Sequence, residues 1–178
     1  MRLDPKYFNL FIAICAVLTV VVIIFTTLWY SQKQAAEFRE NIAAVQLDTL
    51  SFKSYSAADS LRLKEMFENP VIIHFWSTWS DKSKEVNEFL HDYSNEYSNL
   101  VIVAAAVRDG EEQIKDYIKN SPFQFHFVEG TEFYQTVFVP GMPSQILISP
   151  GGKLFATHIG DDTSELREKL NSLILHED

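Results

Sequence analysis

The stretch from Tyr7 to Tyr30 carries no charged residue and is apolar at nearly every position, which divides the chain before any motif is read. As a helix these residues would rise about 36 Å, against roughly 30 Å of bilayer hydrocarbon, so a spanning helix fits with some tilt. A cleaved signal peptide fits less well, because its apolar region is shorter and no small-x-small site follows Tyr30 closely. A lipid-attachment role for Cys15 fits poorly too: Ile14 before it is large and the apolar run continues well beyond it. The sequence therefore divides into an N-terminal segment (1–6), a transmembrane helix (7–30), a polar stalk of helical propensity (31–44) and one folded domain (45–178). Arg2 and Lys6 precede the span, while Lys33 and Arg39 follow it with Glu37 and Glu40 nearby. That slight positive bias puts the N-terminus in the cytoplasm and the domain outside, with Trp29 and Tyr30 at the outer interface.

The part beyond the span has enough apolar material for a core, since the whole chain is 47% hydrophobic and only 22% charged. Removing Arg2, Lys6 and Asp4 from the 15 basic and 24 acidic residues leaves 13 against 23, a net charge of -10. Phosphate binding needs a positive face, so nucleic acid is excluded as an expected partner. Cys15, inside the apolar stretch, is the only cysteine. The domain thus has no thiol for a disulfide, a thiolate zinc site, an iron–sulfur cluster or a Cys nucleophile. His74, His91, His126, His158 and His176 show no ligand spacing, so neither a metal nor a cofactor is expected.

Val71 to Trp76 (VIIHFW) follows Asn69-Pro70 as a continuous apolar run, the pattern of a strand buried on both faces. Ser80 to Tyr97 reads as a helix, with Val86, Phe89, Leu90 and Tyr93 on one face. Leu100 to Val107 is a second buried strand, and Glu111 to Asn120 a second helix with acidic residues in its first turn. Phe123 to Val128 is a short strand, and Thr131 to Val139 a helical turn. Ser144 to Ile148 and Lys153 to His158 flank Ser149-Pro150-Gly151-Gly152, a hairpin signal. The last helix starts near Asp162, with Glu165 completing a capping box, and runs to about Leu175. This order implies an α/β fold: a mixed β-sheet with helices on both faces.

Phe75 to Ser83 reads FWSTWSDKS at the junction of the first buried strand and the first long helix. It resembles the FWATWCxxC segment of the membrane-anchored, TlpA/ResA-like branch of the thioredoxin superfamily. Val139 to Ser144 (VPGMPS) is similar to the loop carrying that family's cis-proline, and SPGGK to its final hairpin. The resemblance covers about 45–175 and implies a thioredoxin-like sheet, a cis bond before Pro143 and a thiol-disulfide activity. The departure falls at the reaction centre: Ser80 and Ser83 stand where the family has its two cysteines, and Val86 where it often has a Glu. A serine hydroxyl is too weak an acid for thiol-disulfide exchange.

Ser80 reads as a helix cap accepting from the backbone of Lys82 or Ser83, and Ser83 as a first-turn residue. Trp76 reads as core. Trp79 matches the tryptophan bordering the family's active-site surface and is a candidate binding anchor. The resemblance implies that the backbone of Met142 pairs with an extended peptide, a mode that does not need the cysteines. Asp109 with Glu111 and Glu112, and Asp161 with Asp162, read as helix-start acids. The expected function is a redox-inactive binding or assembly module of the cell envelope, contacting an extracytoplasmic protein or extended peptide through Trp79, Ser80, Ser83, Met142 and Pro143. The rivals are a thiol-disulfide oxidoreductase or redoxin-like member of envelope redox or cytochrome maturation pathways, and a structural subunit of a membrane complex.

Overall fold

A computed structural model describes residues 5–56 and 59–175. Arg2, used for the orientation bias, and His176 lie outside the described residues. Helix α1 runs from Pro5 to Ala43 without a break. The chain separates into two compact units, the first ending at Ala36 and the second beginning at Glu37. In the first unit the large apolar side chains from Phe8 to Tyr30 are exposed, on a helix long and apolar enough to cross a membrane.

The second unit takes in the end of the segment read as a stalk. Phe38 and Ile42, four residues apart on α1, are fully buried in its core, and Asn41 Nδ2 donates to the Val137 carbonyl at 3.3 Å. Polarity hid this boundary, because only two apolar residues anchor an otherwise charged turn.

The elements that follow are β1 (Ser51–Phe52), β2 (Leu61–Arg62), β3 (Val71–Trp76), α2 (Asp81–Glu96), β4 (Val101–Ala106), α3 (Glu111–Asn120) and β5 (His126–Glu129). The chain closes with α4 (Thr131–Thr136), β6 (Ser144–Ser149), β7 (Lys153–Ile159) and α5 (Thr163–Leu175). The main sheet has the order β5-β4-β3-β6-β7; β3, β4 and β5 are parallel, β6 runs antiparallel to β3, and β7, antiparallel to β6, runs in the same direction as β3. This is the mixed sheet expected from the sequence. The strand expected at 123–128 begins three residues later. Pro122 has no N–H to donate, and Phe123 and Phe125 stack at 5.2 Å instead of pairing. The small β1-β2 pair left no signal in sequence because each strand is two residues long.

Strand alternation builds two cores. Val71, Ile73 and Phe75 face Phe38, Ile42 and the α4 residue Phe133, while Ile72 and Trp76 face Val86, Leu90 and Tyr93 of α2, Ile114 of α3 and Leu166, Leu170 and Leu173 of α5. Helices therefore cover both faces. Ser149-Pro150-Gly151-Gly152 turns as expected, with Gly151 at φ 83° and Gly152 at φ 80°, backbone that favours glycine. Asp162 caps α5, its Oδ1 accepting from the N–H of Ser164 and of Glu165. The Glu165 carboxylate pairs at 2.6 Å with Lys169.

Candidate functional site

Register places four loops at one end of the sheet. Phe75 pairs with Ser144, Ser144 with Ile159, and Trp76 with Ala106. The β3–α2 loop (77–80), the β4–α3 loop (107–110), the α4–β6 loop (137–143) and the β7–α5 loop (160–162) thus emerge together. The carboxyl ends of parallel strands are where open α/β sheets place their sites.

Ser80 is the N-cap of α2: its Oγ accepts from the Ser83 N–H at 3.2 Å. This bond fixes the first turn and occupies the hydroxyl as an acceptor, the capping role expected from the sequence. Trp79, beside it, is 63% exposed, whereas Trp76 is fully buried. The Met142-Pro143 bond is cis, as the resemblance implies. Met142 is half-buried, and its N–H and C=O make no hydrogen bond among the described residues; Pro143 is buried and its carbonyl accepts from Gly160. Trp79, Ser80 and Met142 therefore reach the surface, while Ser83 and Pro143 sit below it and shape the two loops.

Asp109 holds the Trp79 loop. Its carboxylate accepts from the N–H and Oγ1 of Thr78 and from the N–H of Gly110. The structure corrects its reading as a helix-start acid: Gly110 is the N-cap of α3, and Asp109 ties two loops together. Asp161 likewise pairs with Lys82 of α2 at 2.9 Å, so only Asp162 of that pair caps a helix. The clamp joins positions thirty-one apart, a contact that no local pattern signals.

Beneath Ser83 lies a polar layer. His74, Gln145 and His158 are in register on β3, β6 and β7, and all are buried; Gln145 Nε2 lies 3.0 Å from His74 Nδ1. Ser83 and Asn87 of α2 complete the layer, and Asn87 Nδ2 donates to the Tyr117 hydroxyl of α3 at 3.1 Å. Burial pushes His74 down to about 3; the backbone at Ser144 and Ser83 and the Asn87 side chain oppose the fall without offsetting it. The ring is therefore neutral at pH 7. Burial also lowers His158, assisted by Lys169 and opposed by Glu165. The sequence signals for this layer were a polar residue inside VIIHFW and Asn87 four positions after Ser83 on the helix's buried side. The Glu often present in the family finds no counterpart: Val86 is fully buried in the α2 core, and Glu85 is exposed. Among the described residues no group of three His, Cys, Asp or Glu side chains could hold a metal ion.

This arrangement defines a thioredoxin-like domain. Residues 68–154, just under half the chain, match the family described as thioredoxin-like. The thiol-disulfide oxidoreductase ResA of Bacillus cereus is 25% identical over 112 residues, covering 61% of this chain and 65% of that protein, so the chain spans less than two thirds of that relative. Among solved structures, MTB dsbF superposes with a TM-score of 0.62 at 15% identity, covering 71% of this chain and 96% of that one. A thiol:disulfide interchange protein from Chlorobium tepidum does so with a TM-score of 0.61 at 13% identity, covering 70% and 92%. At these identities the structural likeness establishes the fold. Taken with the family match and the curated relative, it supports the likeness of the domain to the TlpA/ResA-like branch of the thioredoxin superfamily.

Proposed function

We propose that this chain is a single-pass plasma (inner) membrane protein, anchored by residues 7–30 with its N-terminus cytoplasmic, whose periplasmic or extracytoplasmic thioredoxin-like domain is redox-inactive and binds an extended segment of a partner protein. Trp79, Ser80 and Met142 form the contact, and Ser83 and Pro143 frame it. The observation that carries this reading is a complete frame around a missing reaction centre. The cap of α2, the exposed tryptophan and the Met142 loop are in place, yet no cysteine follows Cys15. The unpaired N–H and C=O of Met142 supply a donor and an acceptor for main-chain pairing. The exposed apolar helix supports the anchor.

A second reading follows from the curated relative, which is named a thiol-disulfide oxidoreductase. Insulin reduction by the full chain in detergent micelles, with dithiothreitol as electron donor, separates the two. The expected rate equals the protein-free blank, because a serine cannot form the mixed disulfide through which exchange proceeds. Turnover above the blank would favour the oxidoreductase.

A further inference from the structure

Among the described residues of the second unit, Trp79 and Phe138 are the exposed large aromatics, at 63% and 76%. Each lies on a loop of the candidate site. Phe138 also sits at φ 52°, and the other non-glycine residue at positive φ is Arg108, at φ 50°. Left-handed backbone is strained for such residues, and this kind of strain gathers at functional sites. Here it falls on the two loops beside the Trp79 loop.

The clamp and α4 connect these residues. Arg108 adjoins Asp109, and Trp79 adjoins Thr78, the two partners of the clamp. On its other side the Arg108 N–H donates to Thr131 Oγ1 at 3.0 Å, and its charge reaches the Tyr134 phenol. Tyr134 packs edge-on against Phe75 at 5.5 Å, and its carbonyl accepts from Val139, the residue after Phe138. Arg108 therefore stands between the Trp79 loop and the α4 turn that carries Phe138.

Charge decides what can bind there. Asp81 is paired with Lys84, Lys82 with Asp161, and Glu111 with both Lys53 and Lys115; the Asp109 carboxylate is saturated by Thr78 and Gly110. Residues 137–143 carry no charge. Arg108 enters no ion pair among the described residues, so it is the uncommitted charge on the loops flanking Trp79. The domain's net negative charge opposes a carboxylate at long range. At physiological salt, however, exposed charges are screened beyond roughly 8 Å, so the cation at contact sets the preference.

We infer that the surface formed by Trp79, Arg108, Tyr134 and Phe138 receives an extended partner segment that presents a carboxylate to Arg108 and apolar side chains to the two exposed aromatics. This rests on the peptide-binding reading above and specifies its ligand. A guanidinium beside aromatic faces suits that combination, since Arg pairs with a carboxylate in plane while the rings take the apolar flanks.

The test uses the full chain in detergent micelles and a fluorescein-labelled peptide with a central aspartate between leucines, alongside its asparagine and lysine counterparts. In fluorescence anisotropy titrations the aspartate peptide should bind about fivefold more tightly than the asparagine peptide, the scale of one exposed ion pair. Arg108→Glu should reverse the order, so that the lysine peptide binds best. Trp79→Ala and Phe138→Ser should weaken all three. Equal binding of the three peptides, or an order that Arg108→Glu leaves unchanged, overturns the charge preference; loss of that binding in Trp79→Ala would still support the peptide-binding reading. If none of the peptides binds while crosslinking from Met142 captures a partner, this inference fails and the peptide-binding reading stands. If crosslinking also fails, both fall.

Discussion

Replacing Phe38 with alanine is expected to destabilise the folded domain by about 3 to 5 kcal/mol, the range for emptying a buried aromatic site. Phe38 is fully buried beside Ile42, and its neighbours come from β3 and α4, which cannot collapse onto the vacated space without disturbing the sheet. Urea unfolding of the full chain in detergent micelles, followed by near-ultraviolet circular dichroism, measures the effect. A change under about 1 kcal/mol would mean that the last turns of α1 are only loosely attached, contrary to their burial. By the same reasoning, a fragment beginning at Glu37 should be markedly more stable than one beginning at Val45, where polarity alone would place the boundary.

Acid should unfold the domain through His74. The buried imidazole titrates at about 3, against about 6.5 in an unfolded chain. Between those values the unfolded chain binds a proton that the folded one does not. The stabilisation is therefore fully present above pH 6.5 and falls as pH drops, by about 1.4 kcal/mol per unit. At pH 5 the loss from His74 is about 2 kcal/mol, and the lowered His158 adds to it in the same direction. Asp81, Glu111, Asp161 and Glu165, whose carboxyls are held low by lysines, lose their contributions only at more acidic pH. The window from pH 6.5 to 5 thus isolates the histidines. Unfolding free energies across that window should fall steeply for the wild type and more gently for His74→Gln; parallel slopes would contradict a neutral, desolvated His74.

The central strands were legible because each is an apolar run, broken in Val71–Trp76 only by His74. Val71–Trp76 and the helix Glu111–Asn120 lie where the pattern puts them. The cap at Ser80 was legible for a local reason: an N-cap needs only a hydroxyl within three residues of the N–H it receives. The Asp109 clamp and the row His74, Gln145, His158 were not, since each joins residues far apart in sequence and is set by register and loop closure. The boundary at Glu37 escaped because helical propensity continues unbroken from the span into the domain, with only Phe38 and Ile42 turned inward. Phe138 drew no notice in sequence, where an aromatic in a loop looks like core; only its exposure and positive φ mark it out.

A binding frame without redox chemistry can be probed in cells by photocrosslinking from a reactive amino acid placed at Met142. The expected result is a discrete adduct with an extracytoplasmic protein, lost in Trp79→Ala at equal protein abundance. Absence of any adduct from Met142, or an adduct that Trp79→Ala leaves unchanged, would contradict it.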